Sequence, residues 1–372
     1  MTTVFPGSID SLPRPTPTTK TNAGGGLNLS TVIDNLSDAV EAIEAELIRR
    51  RHTEIIINGN YDHFQRGTGS RTHTTTYNVD TSYSADRFYT LPAGASVVGA
   101  QSATVPDSRS WLTQLVTGAA SVTTVDHGQR VEGFYSNTHL MQSLVFSCYI
   151  RNNTGGAFTP NLRIDTPSVL NNFASTTNRL NQALQSCPNG AWTRVYHVFD
   201  PSAYTNIALG AAVVLRIPSG SLDSGAKSVN FAQFSLKPAL ALPTFVPPDP
   251  IIELVRSQRY YQKSFPQATA PAQNSGAVAG ALSTRVTTGG TAGISTIAQP
   301  FAVVMRSAPT MTSYNPSAAN ANWRDASASI DCSGTNGFAQ IGDRGFEAWT
   351  SQVAGNLITD LIYVHYTANA EL

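Results

Sequence analysis

The chain has 372 residues, 24 acidic and 24 basic side chains, and only 13% charged residues, where an ordinary soluble domain has about 25%. This balance argues against broad electrostatic capture of nucleic acid or of an anionic membrane surface, so we expect neither partner. With 28 Gly and 21 Pro, the composition favours short strands and many turns over long helices, and the length suits about two or three domains.

The first two segments predict an attachment arm followed by a coiled coil. Residues 1–28 are rich in Pro, Thr and Gly, so we expect an extended arm that becomes ordered only on a partner. Residues 29–52 carry apolar side chains at alternating spacings of three and four, which is typical of a coiled-coil seam. The seam consists of Ile33, Leu36, Val40, Ile43 and Leu47. It predicts a homo-oligomer, with a trimer as our choice; the alternative is a single amphipathic helix packed on its own domain.

From residue 53 onward the apolar periodicity becomes two, which indicates β-strands separated by turns. Residues 53–242 predict a β-sandwich of the jelly-roll kind, and the Pro-rich residues 243–250 predict a stiff linker. Residues 251–372 predict a smaller C-terminal β-domain, whose opening "IIELVRSQRYYQKSF" fits a short helix or a strand. The predicted fold class is therefore mainly β, preceded by the arm and the coiled-coil helix.

The three cysteines, Cys148, Cys187 and Cys332, cannot all pair within one chain, and their spacing matches no zinc pattern. We expect reduced, structural thiols, with Cys148 as a core residue of the strand "LVFSCYI". The sequence start has no secretory signal pattern, and the longest apolar run is well short of the roughly 20 residues needed to span a bilayer. We therefore expect a soluble chain made in the cytosol, without membrane insertion.

Polar residues that follow the first apolar segment are candidates for a metal site or a catalytic site. Asn58, Asn60 and Asp62 supply oxygens at alternate positions, which a structural Ca²⁺ ion would accept. The calcium-loop glutamate is missing, however, and Asn and Asp at strand ends usually bind the chain's own backbone. Asp62 and His63 are neighbours in the sequence, but successive residues of a strand point to opposite faces, so their adjacency alone does not indicate a catalytic dyad. No catalytic motif was found, and we expect neither an enzyme nor a required cofactor.

Aromatic residues in polar segments are the candidate ligand-binding residues. Sugar rings stack on exposed aromatic side chains, while Asn, Gln, Asp and Arg read the sugar hydroxyls. On this basis Trp111, Tyr83 and Tyr135 are the predicted carbohydrate-binding residues. The alternative for each is a core-capping role with only the polar tip in solvent.

The stretch "INGNYDHFQRGTG", followed by "YSADRFY", resembles the opening of a jelly-roll module found in many bacteriophage and prophage structural proteins. Later segments, among them "NGAWTRVYHVF" and the ending "YTANAEL", agree, and "FPGSIDSLPRPT" resembles the attachment end of phage fibre and minor tail proteins. The resemblance implies a multimeric fibre or spike, on a virion or a gene-transfer-agent-like particle, whose jelly roll is related to carbohydrate-binding modules. The resemblance does not identify ligand-binding residues in this chain. Arg66 and Arg87 fit framework positions, where we expect each guanidinium to pair with a carboxylate.

The expected function is therefore that of a non-enzymatic virion protein, assembled in the host cytoplasm, that binds bacterial surface polysaccharide. The arm would contact other virion proteins, and several copies of the β-domains would be displayed together. The main alternative is a connector or decoration protein without glycan binding. A depolymerase is a third class, for which no acid pair is recognisable in the sequence.

Overall fold

The computed structural model describes residues 54–77, 81–110, 112–133, 143–287, 293–353 and 355–372. The predicted arm (1–28) and the coiled-coil helix with its five seam residues lie outside these ranges, so the predicted trimer stays a prediction. Residues 55–372 cluster into one unit, which contains two β-modules with separate hydrophobic cores. The mainly-β prediction is confirmed.

Eleven strands form the first module. They are β1 (Arg71–His73), β2 (Tyr89–Ala93), β3 (Val97–Ser102), β4 (Thr113–Thr117), β5 (Thr124–Glu132), β6 (Leu144–Asn153), β7 (Asn161–Val169), β8 (Asn172–Ala183), β9 (Trp192–Phe199), β10 (Gly210–Ile217) and β11 (Ser228–Pro238). Two short 3-10 turns, Pro201–Ala203 and Ile207–Leu209, lie between β9 and β10.

The strands pair antiparallel into two sheets. Sheet A has the strand order β1-β3-β4-β11-β6-β9, and sheet B has the order β2-β5-β10-β7-β8. Strand β6 shows how the sequence directs each face: Phe146, Cys148 and Ile150 alternate into the core, while Tyr149 and Arg151 point away from it. Cys148 is fully buried and unpaired, as predicted. The inner faces of both sheets share one core, which makes the module a β-sandwich.

The second module begins with a helix. Helix α1 (Pro250–Gln258) has Pro250 in its first turn, and the Asp249 carboxylate accepts a hydrogen bond from the Ile251 amide at 2.8 Å. Of the two open interpretations of this segment, the helix is correct for its first part, and a strand follows it. The strands are β12 (Tyr261–Lys263), β13 (Leu282–Arg285), β14 (Ile294–Pro300), β15 (Thr310–Tyr314), β16 (Trp323–Asp325), β17 (Ile330–Cys332), β18 (Asn336–Ala339), β19 (Gly345–Ser351) and β20 (Leu361–Asn369).

Strand β20 organises the second module, because β12, β13, β15 and β16 all pair with it. A three-stranded sheet, β14-β19-β18, covers the same core, in which Trp323 and Phe346 are buried. A third apolar cluster joins the modules by placing Leu372 and Tyr260 against Tyr89, Phe173 and Val214 of sheet B. The end of the described chain is thus packed against the outer face of sheet B.

Candidate functional site

Of the three predicted carbohydrate-binding residues, Trp111 and Tyr135 lie outside the described residues. The prediction for Tyr83 as an exposed stacking residue is wrong, because its side chain is 0% exposed. Its hydroxyl hydrogen-bonds to that of Tyr77 at 3.0 Å, its ring meets Tyr89 edge-on, and the guanidinium of Arg66 lies 5.0 Å from its ring centroid. Tyr83 therefore belongs to the junction of the modules and has no ring face available to a sugar.

The polar cluster after the first apolar segment is a buried turn. Asn58 has a positive φ of 60°, its amide donates to the carbonyls of His63 and Asp86 at 2.9 and 3.1 Å, and its side-chain oxygen accepts from the His63 amide at 3.0 Å. The Asn60 amide donates to Asp62 at 3.2 Å. The side-chain oxygen of Asn58 thus satisfies the backbone, which was the alternative to the calcium hypothesis. No metal-binding group of three or more His, Cys, Asp or Glu occurs among the described residues.

Arg66 and Arg87 pair with carboxylates, as predicted for framework positions. Both guanidiniums converge on Glu371, which lies at the far end of the sequence: Arg87 bonds one carboxylate oxygen, and Arg66 lies 3.4 Å from the other. Arg66 is also 4.0 Å from Asp86, and Arg87 stacks 3.4 Å above the centroid of Tyr260. All of these charged side chains are almost fully buried. They hold the two modules together and are inaccessible to a ligand.

An exposed face suited to a ligand lies on the outer side of sheet A. Antiparallel pairing of β6 with β9 sets Arg151 opposite Trp192, Tyr149 opposite Arg194, and Ser147 opposite Tyr196. We call this outward-pointing set the aromatic–arginine face; four of its members are half-buried and one is exposed, and together they are Tyr149, Arg151, Trp192, Arg194 and Tyr196. None of these side chains belongs to the core, and Tyr196 is 38% exposed.

The register of these two strands alternates aromatic and cationic groups along and across the strands. Same-face residues two apart on a strand are separated by about 7 Å, and directly opposed residues by about 5 Å. The Arg194 guanidinium lies 5.8 Å from the Tyr149 ring centroid, and it donates to the Ser147 hydroxyl at 3.4 Å and the Pro243 carbonyl at 2.5 Å. Arg194 is therefore held in place next to an aromatic ring before any ligand arrives.

The loop before β4 adds polar groups beside Tyr149. Arg109 lies near the Tyr149 side chain and forms an ion pair with Asp107 at 2.5 Å. Gln233 donates to Asp107 at 2.8 Å and to the Ser110 hydroxyl at 2.9 Å. Desolvation is the largest single effect and raises the pKa of the Asp107 carboxyl, but the hydrogen bonds and charge of Arg109, with a hydrogen bond from Gln233, together hold that pKa below its ordinary value. The result is a rim of fixed donors and acceptors around a tyrosine ring, an arrangement able to read hydroxyl groups.

The outer face of sheet B also carries charges, but these are paired with one another. Asp126 binds Arg216 at 2.6 Å and Arg163 at 3.2 Å, and Arg163 also binds Asp165 at 3.1 Å. Asn178 donates to Asp165 at 2.7 Å. Since each carboxylate already has a cation, this network has less residual bonding capacity than the aromatic–arginine face.

Several other reactive or titratable side chains are buried inside the protein. The thiols of all three cysteines are buried, and that burial raises the pKa of Cys187 to about 12 and of Cys332 to about 11. His127 is stacked on Phe231 at 4.4 Å within the core, where it hydrogen-bonds to Tyr61 and Thr90. Cys148, Cys187 and His127 pack inside the sandwich, and Cys332 packs in the core of the second module.

The signal for the aromatic–arginine face was present in the sequence. In "WTRVYHVF" (Trp192–Phe199) the aromatic and basic residues Trp192, Arg194 and Tyr196 occupy alternate positions, opposite the core-facing Val195 and Phe199. This segment indicated a strand and contributed to the resemblance to phage structural proteins, whereas the predicted sugar-stacking residues came from loop-like, polar segments. Strand alternation was the better guide to exposure.

Comparisons with known proteins gave no family model and no curated protein that matches the sequence. Solved structures with partial likeness include the enzymatically active domain of tailspike protein 4 of bacteriophage CBA120, with 10% identity and a TM-score of 0.31 over 50% of this chain and 21% of that one. A CBM4 structure matches with 12% identity and a TM-score of 0.30, covering 49% of this chain and 98% of that one. The CBM22-1 xylan-binding domain from Paenibacillus barcinonensis Xyn10C has 12% identity and a TM-score of 0.27, covering 48% and 99%.

This chain thus spans about a fifth of the tailspike domain and nearly the whole of the two smaller modules. Identities and TM-scores this low do not transfer a ligand or an activity. Among the described residues, no helix is long and apolar enough to cross a membrane. Any functional conclusion has to come from the chain's own side chains.

Proposed function

We propose that this chain is a non-enzymatic virion structural protein that binds bacterial surface polysaccharide through the aromatic–arginine face. The observation that supports binding is the row of aromatic side chains on β6 and β9, each paired across the strands with a hydrogen-bonding residue. Aromatic rings offer flat apolar surfaces to the C–H faces of sugars, and guanidinium and hydroxyl groups read their polar edges.

The virion role rests on the resemblance to phage structural proteins and on the predicted arm and coiled coil. A coiled coil formed by residues 29–52 would gather several copies of the modules about one axis. Weak contacts between a repeating polysaccharide and each copy would then add through effective concentration, because the second binding event becomes intramolecular. Residues 1–28 would become ordered on a virion protein at an entropic cost.

Binding of the full chain to a panel of bacterial capsular and cell-wall polysaccharides, measured by affinity electrophoresis and calorimetry, tests the proposal. Trp192→Ala and Tyr149→Ala should each weaken binding roughly two- to tenfold, the value of one aromatic contact. Tyr363→Ala, which removes a half-buried tyrosine from the second module, is the matched control and should bind like the parent. Circular dichroism checks that each variant is folded.

Absence of binding across the panel, or equal losses for Tyr363→Ala and Trp192→Ala, would contradict glycan binding at this face.

A second role, as a connector within the particle, is favoured by one observation: Glu371 and Leu372 join the modules through buried contacts, which suits a rigid spacer. That role predicts co-purification with particle proteins and no polysaccharide binding. Release of reducing ends from a bound polysaccharide would instead identify a depolymerase.

A further inference from the structure

Sheet A differs from sheet B in its charge. The six strands of sheet A, all within the described residues, contain four basic residues and no Asp or Glu. Sheet B contains four Arg, but also Asp126, Glu132 and Asp165. A chain with no net charge therefore presents one sheet whose strands carry only cations.

Two cations of the aromatic–arginine face have no anionic partner. In the part of the chain that the structure describes, no carboxylate lies within 4.0 Å of the guanidinium of Arg151 or Arg194. The nearby carboxylate Asp107 is already paired with Arg109. Partial burial lowers the pKa of Arg194, and the neighbouring Arg109 lowers it further, although the guanidinium stays charged in any protein. Arg109 and Arg194 thus have one nearby carboxylate, Asp107, between them, so cations outnumber anions beside this face.

The strand register pairs one arginine with each of two aromatic residues. Arg151 is the cross-strand partner of Trp192, and Arg194 is the cross-strand partner of Tyr149. A sugar unit stacked on either ring would bring its substituents within reach of the adjacent guanidinium, which is shaped to bind two oxygens of an anionic group at once. On sheet B, by contrast, ligand anions would have to compete with Asp126 and Asp165 for Arg163.

We propose that the aromatic–arginine face binds an acidic polysaccharide, one with carboxylate or sulfate groups, in preference to a neutral one. This inference rests on the proposed glycan binding and specifies its ligand class. The anionic groups supply the counter-charge that Arg151 and Arg194 lack, and the aromatic rings supply the contact that a simple polyanion does not use. Nucleic acid is the disfavoured occupant, since the chain as a whole has no excess positive charge.

The test uses the full chain with two polymer pairs: polygalacturonate against its carboxyl-reduced form, and dextran sulfate against dextran. At least one acidic member should bind about tenfold more tightly than its neutral partner, with affinity falling as salt rises from 50 to 500 mM. Arg151→Gln and Arg194→Gln should each weaken that binding about tenfold, the value of a charge-assisted hydrogen bond. Arg285→Gln, at an exposed arginine of the second module, is the matched control and should have no effect.

Equal binding of the acidic and neutral members, or no binding of either acidic polymer, would overturn the acidic-ligand inference. The proposed glycan binding at this face would still be supported if a neutral polysaccharide from the bacterial panel binds and Trp192→Ala weakens that binding. Double-stranded DNA serves as a polyanion without pyranose rings that could stack on the aromatic side chains. If DNA binds as tightly as the acidic polymer, and Trp192→Ala affects neither, the face is a general anion site and the inference is wrong.

Discussion

Replacing Glu371 by Gln should reveal how strongly the two modules depend on one buried carboxylate. The Glu371 side chain is 0% exposed and faces Arg66 and Arg87, which are 3% and 1% exposed. The substitution keeps the shape and removes the charge. Arg66 then retains only Asp86 as an anion, at 4.0 Å, and Arg87 retains the Arg130 carbonyl at 2.6 Å and the Tyr260 ring.

Removing one partner of a buried ion pair costs about 3–5 kcal/mol, because it leaves an uncompensated charge inside the protein. We expect a loss in that range in the free energy of unfolding, measured by urea denaturation and followed by tryptophan fluorescence and circular dichroism. Asp223→Asn is the control: it breaks the exposed pair of Asp223 with Lys227, where Asp223 is 46% exposed, and it should change stability little.

A double variant separates the ion pair from general damage to the junction. If the guanidinium–carboxylate contact carries the loss, Arg87→Met combined with Glu371→Gln should cost less than the sum of the single variants by about 0.5–3 kcal/mol. Additive effects, or a loss below about 1 kcal/mol for Glu371→Gln alone, would refute the view that this carboxylate neutralises both arginines.

Three further predictions concern buried positions in the two modules. Gly59→Ala should destabilise by more than about 1 kcal/mol in urea unfolding, because a Cβ atom would lie 2.0 Å from the Phe234 carbonyl oxygen; a parent-like midpoint would show that the turn relaxes freely. The three buried cysteines should resist a thiol reagent in the native state and all react after denaturation; rapid native labelling would contradict their burial. Burial, with a smaller contribution from the nearby His73, lowers the pKa of His127 to about 3. The folded state therefore keeps His127 neutral, so the associated stability is present above pH about 6.5 and is lost as pH falls towards 3, by up to about 1.4 kcal/mol per unit. NMR should find the imidazole untitrated at pH 5, and titration near pH 6.5 would disprove this assignment.

Much of the sandwich was predictable from the sequence, because strand alternation and turn residues are visible within a few neighbouring positions. Alternation in β6 identified its core-facing side, and turn residues separated the strands. Arg66 and Arg87 were correctly assigned to carboxylate pairing. Their main partner was not predictable, since Glu371 lies 305 and 284 positions away and no short-range pattern connects them.

The same distance effect explains the failure for Tyr83. Its sequence neighbours are polar and suggested exposure, but its environment is supplied by Tyr77, Tyr89 and the more distant Leu372. For Trp192 and Tyr196 the useful information was the strand register, which only the pairing of β9 with β6 makes explicit. Burial in a β-protein follows from which strands become neighbours, and composition around a residue is a weaker guide.

The position of Glu371 also affects biosynthesis. Arg66 and Arg87 are translated roughly 300 residues before the carboxylate that neutralises them. While the nascent chain is still on the ribosome, Arg87 therefore lacks the carboxylate that pairs with it, and Arg66 has only Asp86, at 4.0 Å. A product released early would keep this defect, and we expect cellular proteases to degrade it.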